Sequence, residues 1–178
     1  DYSLICKEVH PAEEPDDEYP LVLTSGRVPY FRHTTMRHSA FARELFPTAE
    51  IRMNPKDAEA RGLKHLDWVK VSSRRGDIRA RVYITKGVQP GQTWMERFYT
   101  LSAMRDAEKP DRWLAEENIN VITNNRAPYN EVNGSYTNRG FTVQVEKSSR
   151  PANVWVEPEE FRPFMPTMQS EPVTKDVF

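Results

Sequence analysis

Three segments of this chain alternate apolar and polar residues: WVKVSS (68–73), IRARVYIT (78–85) and FTVQVEK (141–147). Successive side chains of a strand point to opposite faces, so a period of two describes a half-buried strand and not a helix. A fourth run, LVLT (21–24), is apolar with β-branched residues and reads as a strand as well. Arg74-Arg75-Gly76-Asp77 separates the two middle strands, where Gly76 is expected to supply the positive φ of a tight hairpin. These four strands make the fold mainly β.

The helices expected beside them are short. In NPKDAEARGL (54–63), Asn54 can cap, Pro55 suits the first helical position, Asp57 favours the positive N-terminus and Gly62 can end the helix left-handed after about two turns. A second helix is expected within HSAFARELF (38–46), with Phe41, Leu45 and Phe46 on one side and Pro47 as its stop. Residues 94 to 117 mix Trp94, Met95, Phe98 and Leu101 with a polar stretch broken at Pro110, and are expected to be partly helical.

Composition divides the chain into three. Residues 1–19 carry seven acidic residues against Lys7 alone, with Pro11 and Pro15, and read as a solvated linker or arm from a preceding domain. Residues 20–147 form the domain. Residues 148–178 form an extension with five prolines that keeps Trp155, Phe161, Phe164, Met165 and Phe178, too apolar for a solvated tail and expected to lie extended along a surface. A net charge of −1 gives no overall field for nucleic acid, and no apolar run approaches the roughly 20 residues that span a bilayer, so neither partner is expected. The lone Cys6 excludes an internal disulfide and any cysteine-rich zinc or iron–sulfur site within these residues. The N-terminus has no initiator Met and no signal-peptide pattern, so the chain is expected to be cut from a longer protein.

Directly after the first strand comes TSGRVPYFRHTTMR (24–37), dense in cations and hydroxyls. A pyrophosphate needs close backbone approach and fixed cations, for which Gly26 and the forked guanidinium of Arg27 are suited. Thr24, Ser25, Thr34 and Thr35 add neutral donors. The plainer reading is that Gly26 makes a turn and the arginines are a solvated rim.

The order strand, T-S-G-R, H-T-T, helix, N-P-x-D-A-x-x-x-G-L, D-x-V-x-V-S-S-x-R-G and alternating strand resembles the molybdopterin-dinucleotide-binding domain. That domain is the C-terminal part of large subunits in the dimethyl sulfoxide reductase family of molybdenum and tungsten oxidoreductases. The resemblance covers about residues 20–147, including NINVIT and FTVQVEK. It implies a double-psi β-barrel (aspartate decarboxylase-like) with short helices. It also implies that one wall of a molybdopterin guanine dinucleotide, with Mo or W, is held here. The metal ligand and an iron–sulfur cluster would lie elsewhere in the parent, so this fragment would not be catalytic alone.

Carried over by position, Thr24, Ser25, Gly26, Arg27, Thr34 and Thr35 would serve the diphosphate, and His33 would face the pterin. Asp57, with Asn54 beside it, would meet the guanine, although capping explains both equally well. Asn120 would offer its amide to the pterin edge, or close a turn. Arg139 stands where the family usually has a lysine after an aromatic, with Asn138 before it and Tyr136 displaced by two. Leu66 stands in HLDWV where the family commonly has glycine, so that turn is expected to manage without a positive φ or with another shape.

The resemblance implies two partners, the preceding domains of the same subunit and an iron–sulfur electron-transfer subunit. Substrate and compartment stay open, since such enzymes work on either side of the bacterial inner membrane. The rival reading is a double-psi-barrel protein-recognition module such as the N-domain of an AAA ATPase, whose basic stretch would meet an acidic peptide. A self-processing decarboxylase of related fold needs Gly followed by Ser, and here Ser25 precedes Gly26.

Overall fold

The structure, a computed structural model, describes residues 13–27, 48–97, 118–123 and 140–149. Six strands close into a barrel: β1 (Leu21–Gly26), β2 (Glu50–Met53), β3 (Trp68–Ser73), β4 (Gly76–Ile84), β5 (Gln92–Glu96) and β6 (Phe141–Lys147), in the order β1-β5-β2-β4-β3-β6. β1 runs parallel to β5 and β2 parallel to β4, while the other four pairings are antiparallel. This is the double-psi β-barrel that the resemblance implies. Closure gives each of the six strands a neighbouring strand on both sides.

Alternation builds the core. Leu21, Leu23, Ile51, Met53, Val69, Val71, Ile78, Ala80, Val82, Met95, Val143 and Val145 are all at most 2% exposed. Their neighbours in sequence point outward, as the period-two runs require. Full burial of one such aliphatic side chain stabilises by roughly 1.5–3 kcal/mol, so the interior face of the barrel is its main source of cohesion.

Two strands depart from the sequence reading. Within the stretch 94–117 expected to be partly helical, residues 94–96 belong to β5, because β1 and β2 hydrogen-bond to its two sides and its Thr93 and Met95 face inward, while 98–117 lie outside the described residues. β2, EIRM, was not anticipated; four residues with Ile51 and Met53 inward are too short a run to stand out. The expected helix at 38–46 lies outside the described residues, as do 1–12 of the acidic arm and the extension from 150 onward.

Helix α1 (Pro55–Glu59) has the expected cap, with Asn54 Oδ1 accepting from the Lys56 amide, and Pro55 at its start. With five residues it is about half a turn shorter than expected, and Gly62 follows it at φ +62°. Two further turns differ. Gly76 does not have a positive φ; β3 and β4 are joined by Arg74 and Arg75, with Ser73 paired to Gly76. Its glycine identity is set by packing, since a Cβ there would lie 3.0 Å from Val121 Cγ1 and 3.2 Å from its carbonyl oxygen. Leu66, by contrast, does take a left-handed conformation, φ +67°, while its amide donates to Val82 O at 2.8 Å. The turn keeps the shape a glycine would favour and tolerates the strain.

Candidate functional site

Register divides the barrel into two ends. β1, β3 and β5 finish where β2, β4 and β6 begin: Gly26 lies opposite Glu96, and Ile51 at the start of β2 lies opposite Met95. This first end also carries the Arg74–Arg75 hairpin, Gly140 before β6, and a 3-10 turn (Ile119–Val121) whose Val121 packs on Gly76. The second end carries α1.

At the first end, Arg27 follows β1 as an exposed cation with no hydrogen bond or ion pair among the described residues. Gly26 before it accepts from the Arg97 amide at 3.1 Å, and the indole of Trp94 lies across it, 2.5 Å from where a Cβ would stand. Packing against Trp94 therefore accounts for the glycine. Thr24 is exposed on the outer face, whereas Ser25 points inward at 3% exposure, which removes its hydroxyl from that face.

Asn120 lies exposed at the same end, and its side-chain amide makes no hydrogen bond among the described residues. Turn closure belongs to Asn118, whose Oδ1 accepts from the Asn120 amide at 3.0 Å. The carbonyl of Ile122 takes the Ser73 hydroxyl at 2.9 Å, which ties the turn to β3.

Asn54 and Asp57 lie at the opposite end. Asn54 caps α1 and donates through Nδ2 to Val88 O at 2.8 Å, while Asp57 Oδ2 accepts from the Gly91 amide at 2.8 Å. Both side chains thus bind α1 to the loop between β4 and β5. The structure brings Gly26, Arg27 and Asn120 to one end and does not bring Asn54 or Asp57 to it. His33, Thr34, Thr35 and Arg139 lie outside the described residues.

Two features went unread in the sequence. Arg52 is held between aromatic rings, 4.5 Å from the Trp94 centroid and 5.8 Å from that of Tyr83, with His65 edge-on to Tyr83 at 4.9 Å. Cross-strand register makes this stack, since Arg52 pairs with both Tyr83 and Trp94. The other feature is Glu96, 2% exposed, one oxygen of which accepts from the Glu50 amide at 2.8 Å while Oε2 has no hydrogen-bond partner among the described residues. Burial, reinforced by the charge of Glu50 and opposed by backbone amides and Arg52, pushes its carboxyl up to about 8. Glu50 is raised too, by burial above all, with Arg52, His65 and Arg81 opposing. Nothing local announces a buried acid at the end of a strand, because its cover comes from elsewhere in the fold.

Among the described residues no group of three or more His, Cys, Asp or Glu could hold a metal ion, and no helix is long and apolar enough to cross a membrane. The first end offers cation and amide donors suited to an organic anion.

The fold is a closed six-strand double-psi barrel with an exposed arginine and an exposed amide at one end. Residues 21–141 match the model of the molydopterin dinucleotide binding domain, and the chain belongs to that family. Among its relatives, the F420-dependent formate dehydrogenase subunit alpha of Methanocaldococcus jannaschii is 36% identical over 117 residues, 64% of this chain and 15% of that one. The F420-dependent formate dehydrogenase 1 subunit alpha of Methanococcus maripaludis is 34% identical over 102 residues, 56% of this chain and 15% of that one. The chain thus spans about 15% of the length of these curated relatives. Acetylene hydratase from Pelobacter acetylenicus has a similar structure, with a TM-score of 0.62 at 15% identity over 83% of this chain and 23% of that one.

Proposed function

We propose that this chain is the wall of a molybdenum or tungsten oxidoreductase that grips a molybdopterin guanine dinucleotide, with Arg27 on the diphosphate and Asn120 at the pterin. The observation that carries this reading is the pairing, at one barrel end, of an exposed arginine and an exposed amide, neither partnered among the described residues. Arginine suits a diphosphate because its planar fork matches two oxygens at once, and an amide suits a pterin because that edge mixes donors and acceptors. His33, Thr34, Thr35 and Arg139 join this grip on the strength of the family resemblance. Asn54 and Asp57 serve as scaffold, since helix capping and the β4–β5 loop occupy them.

When bound, the metal and pterin supply the transfer of oxygen atoms, hydride equivalents or electrons. This chain holds and orients that group; metal ligand, iron–sulfur cluster and substrate contacts belong to the rest of the parent. The two formate dehydrogenase relatives are alpha subunits, which supports a multi-subunit oxidoreductase as the parent. The substrate is set outside these 178 residues.

The test is Arg27→Ala in the full-length protein. A charge-assisted contact is worth roughly 1.5–3 kcal/mol, so affinity should fall by about tenfold or more and guanine and metal content after purification should fall with it. Arg27→Lys should recover part of it, keeping charge without the fork. Unchanged content in Arg27→Ala would remove the diphosphate grip from this residue.

A further inference from the structure

Residues 13–19 do not run free in solvent, as their acidic composition implied. Glu13 Oε2 accepts from the Thr142 amide and from the Thr142 hydroxyl, both at 3.0 Å, and Glu13 also pairs with Arg75 and, at 3.8 Å, with Arg74. Asp16 pairs with Arg74 and takes the amides of Glu18 and Tyr19 at 3.1 and 2.7 Å. The Tyr19 ring lies 4.9 Å from the Arg74 guanidinium, which donates in turn to the Thr142 hydroxyl at 2.7 Å.

Thr142 is fully buried, and the ladder between β3 and β6 stops at Ser72 and Gln144. Beyond that pair, β3 turns away into the Arg74–Arg75 hairpin, and a carboxylate from 129 residues earlier supplies the acceptor for the Thr142 amide. An amide buried without an acceptor is strongly disfavoured, so this bond is part of the barrel's closure. The same carboxylate faces two guanidiniums on the hairpin, at the barrel end that carries Arg27. The arm therefore enters the barrel by a specific route. Its anchor lies before residue 21, where the family match begins.

We infer that Arg74, Arg75 and Thr142 form a receptor for the chain's own acidic linker, and that Glu13, seated in it, is a positioning residue for the end of the barrel that holds the dinucleotide. This rests on the proposed function for the identity of the ligand, but not for the latch itself. A linker pinned at Glu13 and Asp16 is held at that end of the barrel.

Hydrogen exchange of the Gly140–Lys147 segment and retention of the guanine dinucleotide through gel filtration, both in the full-length protein, test this. Glu13→Ala should speed exchange at Thr142 at least tenfold while Ile51 and Val82, in the barrel's core, stay protected, and should lower dinucleotide retention severalfold. Glu13→Gln, which keeps an acceptor for Thr142 but no charge for the arginines, should restore Thr142 protection and part of the retention. Wild-type exchange at Thr142 in Glu13→Ala would overturn the latch, and wild-type retention would overturn its positioning role. A failure of the ligand assignment reads differently: Arg27→Ala would keep its cofactor while Glu13→Ala still exposed Thr142.

Discussion

Replacing Glu96 by Gln should change how the stability of this barrel depends on pH. The Glu96 carboxyl is 2% exposed, and burial raises it from 4.5 to about 8. Between those values an unfolded chain ionises this group and the folded one does not, so unfolding releases a proton. The contribution of Glu96 is therefore complete below about pH 4.5 and is lost as pH rises towards 8. At about 1.36 kcal/mol per unit, the loss from pH 4.5 to 7 is about 3 kcal/mol. Glutamine keeps the shape and the acceptor for the Glu50 amide, and its NH2 replaces the hydroxyl of the neutral acid, which also lacks a partner at Oε2. The two forms should be nearly equal at pH 4.5, with Glu96→Gln ahead by about 3 kcal/mol at pH 7. Urea unfolding of both proteins at half-unit steps from pH 4.5 to 8 gives the difference directly. Glu50 and the other acids remain in both, so they cancel in the comparison to first order. Parallel curves would show that Glu96 ionises in the fold like an exposed acid and would refute the reasoning.

The left-handed turn at Leu66 gives a second test: Leu66→Gly should be more stable than Leu66→Ile by at least about 1 kcal/mol, because a β-branched residue is strongly disfavoured at positive φ. Thermal unfolding settles it, and an order with isoleucine ahead would contradict the φ of +67°. For Asp57→Asn, the scaffold role predicts a loss of roughly 1 kcal/mol or less in the cofactor-free protein, with full dinucleotide retention. Loss of retention with stability intact would instead return Asp57 to the guanine.

Alternation, caps and a glycine stop were legible in the chain because each depends on residues a few positions apart. β3 and β6 span the alternating runs that announce them, with Thr142 alone of the polar residues in β6 fully buried, and α1 begins at the cap and proline expected for it. The order of short motifs was enough for the family. What the sequence alone could not decide are the relations between strands distant in the chain. β2 and β5 are strands because barrel partners complete them, and their own composition is ambiguous. Gly26 and Gly76 are glycines because Trp94 and Val121 lie against them, not because their φ demands it. That Asn54 and Asp57 sit at the end away from Arg27, bonded to the loop between β4 and β5, is likewise a property of the fold and not of the capping pattern around them. Glu13, from an arm that composition assigns to solvent, is held by Thr142, 129 residues later. Local propensity and capping act over one or two turns of chain, whereas burial, register and the partner of a buried amide exist only once the barrel has closed.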